Sequence, residues 1–394
     1  MKQNRIAVLA VTIVVIILSS SAIVCTYNAE NDKPAEFIGT VIGLSSYNQP
    51  KLDLESKDVF DAGLNLGSTF TIITDDHTYH HAILLKDYLG MFMFDVFVNV
   101  EKDGKISIGI FGELIFAENG STVKLVHEGT SDRYSKTPKY NSGLSNDRSD
   151  YPSDEMFTNF YEITGGSIAD DRFYRSFSPL TETRDGEGNP VYTRAYYVNE
   201  LAYTYGIEFD IALSFTDAAV QSAVSNTKIA GHVVDVCGSG DYVAPDMKFL
   251  YFQQPEKTKT VLDAIIDNGE IKYLIHCNQG RDRTAFVALI IQSLAGATSD
   301  EMRDDEAKAF ANLYNIDPSS EEFRVIAKLT YDRNMYLIAN PDKITEIAFI
   351  DWDNIDVSSV NTKQATISYC IGHLGMTAER VNSLIDIITA DPSP

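Results

Sequence analysis

The sequence predicts two folded parts, a small all-β domain over residues 34–127 and an α/β domain over residues 161–394. In the first part, short runs of β-branched and aromatic residues alternate with turns that contain Gly, Asp and Asn. In the second part, segments with helical periodicity alternate with short apolar strands, which is typical of a mostly parallel central sheet flanked by helices. The polar residues 128–160, which lack a sustained apolar period, predict a linker or a long surface excursion.

Each part has its own predicted elements. In the all-β domain we predict strands at residues 37–44, 69–74, 91–100, 106–111 and 122–126. In the α/β domain we predict helices at residues 196–205, 258–267 and 284–294, and strands at residues 207–213 and 273–275. Two Ser/Thr-x-x-Glu patterns predict capping boxes at the start of two later helices, Thr298 with Glu301 and Ser319 with Glu322.

The composition excludes several classes of protein. Lys and Arg number 32 against 56 Asp and Glu, a formal net charge of −24. A generic nucleic-acid binder needs basic stripes that displace counterions, and a polybasic lipid-binding surface needs the same excess of cations. Four scattered cysteines without a Cys-x-x-Cys pair exclude a disulfide scaffold and a cysteine-rich zinc module. His77, His80 and His81 cluster beside Asp75 and Asp76, a group that could hold a metal, but we interpret them as a polar hairpin end with surface histidines. No metal or other cofactor is predicted.

Residues 1–25 predict a signal peptide or membrane anchor. Lys2 and Arg5 precede residues 6–25, which carry no charge and are mostly apolar. Because the positive charges lie before this run, we expect the chain to be exported across the cytoplasmic membrane, and to be secreted or anchored on its outer side. Cleavage after Ala22, retention of the run as a tether and lipid attachment at Cys25 all stay open.

The chemistry is predicted at residues 276–284, His-Cys-Asn-Gln-Gly-Arg-Asp-Arg-Thr, between a short strand and a buried helix. This position places Cys277 at the carboxyl end of a strand, where α/β proteins bind ligands. The loop then leads into a helix N-terminus, whose N–H groups and dipole attract anions. Gly280 permits the tight turn. The positive potential of the helix N-terminus also lowers the pKa of a nearby thiol. Cys277 is therefore predicted to be a nucleophilic thiolate at neutral pH.

Two further side chains in this loop suit phosphate chemistry. The planar guanidinium of Arg283 can bind two phosphate oxygens at once, which a lysine cannot do. Thr284 can donate a hydrogen bond to the sulfur and ease its departure in a second step. We predict that six residues bind the phosphate: Asn278, Gln279, Gly280, Arg281, Asp282 and Arg283.

Cys-x5-Arg-Thr preceded by His resembles the signature of the cysteine-dependent protein tyrosine phosphatase superfamily. The nearer match is its bacterial branch with His-Cys-x-x-Gly-Lys-Asp-Arg-Thr, whose members act on phosphotyrosine and often on phosphoinositides. Arg281 stands where that branch usually has Lys, and Ala285 where Gly is usual. The resemblance extends over roughly residues 165–392, and Arg172–Ser176 resembles the Tyr/Phe-Arg-Ser stretch that opens this domain. The Asp-Leu-Arg that usually ends a following strand is here residues 212–214, Ala-Leu-Ser.

The resemblance implies catalytic roles for Cys277, Arg283 and Thr284, and an acid from a loop some thirty residues before the cysteine. We predict Asp246, in an Ala-Pro-Asp sequence that loosely resembles the Trp-Pro-Asp loop of the tyrosine phosphatases, with Asp282 as the next choice. Two more aspartates, Asp241 and Asp217, follow them as alternatives.

The resemblance therefore implies a cofactor-independent phosphomonoester hydrolase that forms a cysteinyl-phosphate, most naturally a protein-tyrosine phosphatase. One alternative keeps the fold and changes the substrate to phosphoinositides or soluble inositol phosphates, for which Arg281 offers a second cation. A second alternative is a non-catalytic phosphate-binding module, and a third is a rhodanese-like or arsenate-reducing thiol enzyme. The expected partner is the phosphorylated substrate, without nucleic acid, and residues 6–25 would provide a membrane tether if they are retained.

Overall fold

Seven strands close into a β-barrel in the amino-terminal part of the chain. The computed structural model describes residues 34–390 except 113, 114, 116 and 353, so the predicted leader, residues 6–25, lies outside the described residues. Among the residues that it describes, no helix has the length and apolar character needed to cross a bilayer. The strands are β1 (Glu36–Leu44), β2 (Pro50–Glu55), β3 (Ser68–Ile73), β4 (Thr78–Lys86), β5 (Val96–Val100), β6 (Lys105–Ile110) and β7 (Thr122–Thr130).

The barrel confirms the predicted all-β character of this part. Its strand order is β1-β2-β6-β5-β4-β3-β7, with β4 and β5 parallel and the other neighbours antiparallel. Alternate residues fill the interior, as in other small barrels; Leu52, Phe70, Leu84, Val98 and Leu125 are fully buried. A short helix, α1 (Ser56–Asp61), follows β2.

Three strand predictions in the barrel need correction. Strands β2 and β4 were not predicted, because charged or histidine residues interrupt their apolar pattern. The strand predicted from residue 91 begins only at Val96. Residues 92–95 form a turn instead, in which the Phe92 N–H donates to Asp95 Oδ2 at 2.8 Å.

This turn joins the barrel to the rest of the unit, which begins at Ala35 and contains both parts. Asp95 is buried and pairs with Arg133 at 2.7 Å and with Arg333 at 2.8 Å. Burial raises the pKa of the Asp95 carboxyl, but the two guanidinium groups outweigh burial and lower it. Phe94 enters the core of the α/β part, with its ring 5.4 Å from that of Trp352. Apolar packing and a buried charge cluster thus fix the barrel in place.

Residues 128–160, predicted as a polar linker, contain short helices that pack on the α/β part: α2 (Asp132–Lys136), α3 (Pro138–Ser142), a 3-10 turn (Arg148–Asp150) and α4 (Asp154–Thr158). Single aromatic residues anchor them. The Tyr151 hydroxyl donates to the Leu313 carbonyl at 2.7 Å, and the Tyr140 N–H donates to Glu322 at 2.9 Å. Because each helix has about one turn, its burial leaves no apolar period in the sequence.

The α/β part contains a five-stranded sheet. Its strands are β8 (Tyr161–Glu162), β9 (Phe173–Ser176), β10 (Phe209–Ala212), β11 (Tyr242–Val243) and β12 (Tyr273–His276). Their order across the sheet is β11-β10-β12-β9-β8. The first four strands in this order are parallel to one another and only β8 is antiparallel, which agrees with the predicted mostly parallel sheet.

Helices flank this sheet. They are α5 (Arg194–Tyr205), α6 (Asp217–Ser225), α7 (His232–Ser239), α8 (Pro255–Asn268), α9 (Asp282–Leu294), α10 (Ser299–Tyr314), α11 (Glu321–Ala339), α12 (Thr362–Gly372) and α13 (Ala378–Thr389), with 3-10 segments Tyr251–Gln253 and Pro341–Phe349. The capping box of Thr298 and Glu301 is confirmed. The second predicted box is wrong by one residue, because Ser320 caps α11 and accepts from the Phe323 N–H.

The centre of the core is the unit β12–loop–α9. Every residue of β12 is buried, and so is every residue of α9 from Arg283 to Leu294. A helix that is apolar on all faces, as the sequence indicated, is a buried one. The loop between these two elements, residues 277–281, is therefore held at both ends by the core.

Candidate active site

Several segments meet at the carboxyl edge of the parallel sheet. His276 at the end of β12 is level with Ser176 of β9 and Ala212 of β10. The Ser214 hydroxyl donates to Asn278 Oδ1 at 2.9 Å. The Ser178 N–H donates to the Asn278 carbonyl at 3.2 Å. The sheet thus surrounds the loop after Cys277 with segments that are distant in sequence.

Gly280 is required by a close backbone approach. Its φ is +65°, and a Cβ atom at this position would overlap with the Ser176 carbonyl group. Asn159 closes the same turn, because its side-chain amide donates to the Gln279 and Gly280 carbonyls at 3.2 and 3.1 Å. The predicted tight turn is present, and β9 and the α4 C-terminus hold it.

Arg175 holds the loop from the protein interior. Its side chain is fully buried and donates to the carbonyls of Gly280 at 2.9 Å and Arg281 at 3.2 Å. Its other terminal nitrogen donates to Asp305 Oδ2 at 2.7 Å. Sequence analysis did not single out this role, although Arg175 lies in the quoted Arg172–Ser176 stretch.

The opposite side of the loop offers backbone donors. Within the described residues, the N–H groups of Asn278, Gln279 and Gly280 donate to no protein acceptor. The Arg281 N–H interacts with the Cys277 sulfur. Successive free N–H groups before a helix N-terminus form an anion-binding site.

Cys277 directly precedes these donors in the loop and has 2% of its surface exposed. Burial raises the pKa of its thiol, but the charge of Arg283, the Thr284 hydroxyl and the Arg281 N–H together outweigh burial and lower it. The buried Thr284 hydroxyl has no other polar partner in the described part of the chain. The three residues predicted to form and activate the nucleophile are therefore adjacent.

Arg283 connects the loop with the segment after β11. It is 6% exposed, and its Nη1 donates to the Met247 carbonyl at 2.9 Å. Its guanidinium lies 4.8 Å from the centre of the Phe249 ring. Its Nε donates to no acceptor within the described residues, so the planar guanidinium still has a donor available for an oxyanion.

A buried carboxylate lies behind the nucleophile. His276 Nε2 is 3.2 Å from Asp210 Oδ2, and its Nδ1 is 3.2 Å from the Cys277 carbonyl. Burial lowers the pKa of the His276 imidazole, but Asp210 and the Cys277 carbonyl raise it by more. The Cys237 thiol, 3.5 Å from Asp210, has a pKa that burial raises, so it remains protonated. Asp210 is a positioning residue that sequence analysis missed.

The candidate acids lie in different places. Asp246 is near the loop, since the adjacent Met247 binds Arg283, and it pairs with Lys248 and, at 3.7 Å, with Lys257. The hydrogen bond from Lys248 is the main reason that the pKa of the Asp246 carboxyl is lowered. Asp217 is exposed at the start of α6, on the same edge. Asp241 precedes β11 at the amino end of the parallel strands, away from Cys277.

Arg281 and Asp282 form an ion pair with each other at 3.0 Å. The Arg281 guanidinium also donates to the Tyr314 hydroxyl at 3.0 Å and lies 5.0 Å from the Phe310 ring. The charge that sequence analysis assigned to a multiply phosphorylated ligand is thus already compensated within the protein.

The histidines noted in the barrel lie at the β3–β4 end, outside this site. His80 and His81 contact Glu128 at 3.1 and 3.4 Å.

Residues 222–332 match the model of the tyrosine phosphatase family. The matched stretch contains the whole loop from His276 to Thr284 and also the segment with Asp246. The match supports a phosphatase of that family, and it agrees with the geometry around Cys277. No curated protein matches the chain.

Among solved structures, an uncharacterized conserved protein from Thermotoga maritima is similar at 10% identity, with a TM-score of 0.21. The alignment covers 22% of this chain and 35% of that one, so the chain spans about a third of its length. A likeness this weak carries no argument about fold or function.

The close approach at Gly280 predicts a specific defect. Gly280→Ala is expected to abolish tungstate binding, measured by calorimetry, because the added Cβ collides with the Ser176 carbonyl and displaces the N–H groups. Gly375→Ala is the matched control, since Gly375 has a φ of +68° and no atom of the described residues, apart from the glycine and its chain neighbours, lies within 4 Å of the position that its Cβ would take. It is expected to lose about 1–2 kcal/mol of stability and no affinity. Equal affinity of both variants would contradict the role given to this turn.

Proposed function

We propose that the protein hydrolyses phosphomonoesters through a cysteinyl-phosphate on Cys277, with phosphotyrosyl protein as its substrate class. One observation carries the proposal: a buried thiol with a lowered pKa lies beside Arg283, and the next three N–H groups along the loop have no acceptor in the described part of the chain. This arrangement supplies a nucleophile and a preorganised cradle for the charge of the transferring phosphoryl group.

In the first step the Cys277 thiolate attacks phosphorus, and the bond from phosphorus to the leaving oxygen breaks. Arg283 and the loop N–H groups bind the phosphoryl oxygens, and a carboxylic acid gives its proton to the leaving oxygen. In the second step water attacks phosphorus and gives a proton to the same carboxylate. The sulfur–phosphorus bond then breaks, and the Thr284 hydroxyl stabilises the thiolate that leaves.

We propose Asp246 as the proton donor. Its segment contacts Arg283 through the Met247 carbonyl, so it lies beside the place where phosphate would bind. In the free protein the hydrogen bond from Lys248 lowers the pKa of the Asp246 carboxyl. A bound phosphate dianion favours the neutral acid and competes for the lysine, so Asp246 would gain its proton in the complex. Export of the chain, which residues 6–25 indicate, stays a prediction.

The proposal is tested with the full-length chain on a phosphate panel, with reductant and a metal chelator. The panel contains phosphotyrosyl and phosphoseryl peptides, a phosphoinositide and inositol hexakisphosphate, and released phosphate is measured. The phosphotyrosyl peptide is expected to have the highest kcat/KM. Cys277→Ser is expected to remove turnover because the hydroxyl is not ionised. Arg283→Lys is expected to lose at least about 100-fold, since the lysine cannot bind two oxygens.

Full activity of Cys277→Ser would contradict the mechanism. A higher kcat/KM for the phosphoinositide or inositol hexakisphosphate would replace the substrate class. Binding of one panel member without turnover would instead identify a phosphate-binding module.

The proton donor has its own test. Asp246→Asn is expected to lower kcat on the phosphotyrosyl peptide about 100-fold, and much less on 4-nitrophenyl phosphate, whose leaving group needs little protonation. Asp217→Asn, on the same edge of the sheet, is the matched control and should keep its activity on both substrates. If Asp282→Asn shows this dependence on the leaving group and Asp246→Asn does not, the donor is Asp282.

A further inference from the structure

A cavity of about 730 Å³ lies between the barrel and the loop that holds Cys277. Gln279 and Arg281 line it from the loop, and Phe249 lines it from the segment after β11. Tyr47, Tyr88 and Phe111 line it from the barrel. Its volume lies in the range of about 300–1,000 Å³ that is typical of small-molecule sites.

The lining is mostly aromatic and apolar. Among the described residues that line the cavity, Asp87 and Arg281 alone are formally charged. Their charges have opposite signs, and Arg281 is already paired with Asp282. A polyanion such as an inositol polyphosphate needs several free cations, so this lining does not suit it. An uncharged aromatic group suits it well.

The apolar wall begins at the catalytic arginine. The Phe249 ring lies 4.8 Å from the Arg283 guanidinium and 5.6 Å from the Phe111 ring of the barrel side. A ring that is bonded to a phosphate held by Arg283 would therefore meet Phe249 first and the barrel next. In an aryl phosphate the phosphate would thus contact Arg283, and the ring attached to it would contact Phe249 and then the barrel.

The barrel presents one exposed aromatic residue at this cavity. Tyr47 is 64% exposed, and its ring centre lies 4.3 Å from that of Tyr88. Contacts on both sides fix Tyr88 in place. Its hydroxyl donates to Glu101 and contacts Ser45 Oγ at 2.9 Å, and its N–H donates to Asn99 at 3.0 Å. An exposed ring in a fixed position costs little conformational entropy when a ligand stacks on it.

We infer that the barrel supplies the subsite for the aromatic leaving group, and that this subsite makes the enzyme select aryl phosphates over inositol polyphosphates. The inference rests on the proposed function, because it assigns the group that is attached to the phosphate on Cys277. It gives the barrel a role in substrate choice. The wall is fixed, because the Asp95 ion pairs and Phe94 join the barrel to the α/β part.

The test compares a ring-bearing ligand with a ring-free one on the full-length enzyme. The KM for 2-naphthyl phosphate and the inhibition constant of inorganic phosphate are measured for Tyr47→Ala, Tyr47→Phe and Ile38→Ala. Tyr47→Ala is expected to raise the KM about three- to tenfold and to leave phosphate inhibition unchanged, because only the ring loses its contact. Tyr47→Phe keeps the ring and should resemble the wild type. Ile38, 67% exposed on β1 and absent from the cavity lining, is the control and should have no effect.

The outcomes separate the two proposals. An unchanged KM in Tyr47→Ala, or an equal weakening of phosphate inhibition, would overturn the subsite while the phosphatase activity stands. A higher kcat/KM for inositol hexakisphosphate than for 2-naphthyl phosphate would also overturn it. If the wild type hydrolyses no member of the panel, the proposed function fails first and the subsite fails with it.

Discussion

The site depends on one buried guanidinium, that of Arg175, which binds the Gly280 and Arg281 carbonyls from inside the protein. With these carbonyls turned inward, the preceding N–H groups remain available to an anion. A buried cation is costly unless it is paired, and Asp305 pairs with it at 2.7 Å. Gly280 completes the constraint, since any side chain would collide with β9. The loop N–H groups are thus held in place by the core in the free protein, as electrostatic catalysis of the proposed reaction would require.

The same core orients the nucleophile and the wall of the cavity. β12 and α9, which flank the loop, are buried. The distance and orientation between Cys277 and Arg283 are therefore fixed by the core. The barrel adds an aromatic surface on the far side of Phe249, and the turn at Asp95 keeps that surface in place. In the proposed function the loop N–H groups and Arg283 would bind the phosphoryl group that every substrate shares, and the apolar wall of the cavity would distinguish the groups attached to it.

The candidate site could be proposed from the sequence because its residues are contiguous. The stretch from His276 to Thr284 carries the predicted nucleophile, the tight turn, the cation and the helix start in nine consecutive positions. The residues that support it, Arg175 and Asp210, come from other strands, and a single sequence does not show which strands are neighbours. In the barrel, β4 was not predicted because two histidines interrupt its alternation of apolar and polar residues. The helices of residues 128–160 were missed because each is about one turn long and is held by a single aromatic residue.

The central claim is that Cys277 carries the phosphoryl group between the two steps. The most direct measurement is rapid acid quenching of the full-length enzyme during turnover of a phosphotyrosyl peptide, followed by mass spectrometry of its peptides. The account predicts a phosphate group on the peptide that contains Cys277, formed faster than the overall turnover and absent from Cys277→Ser. Turnover without phosphorylated enzyme, or with the phosphate on another residue, would contradict it.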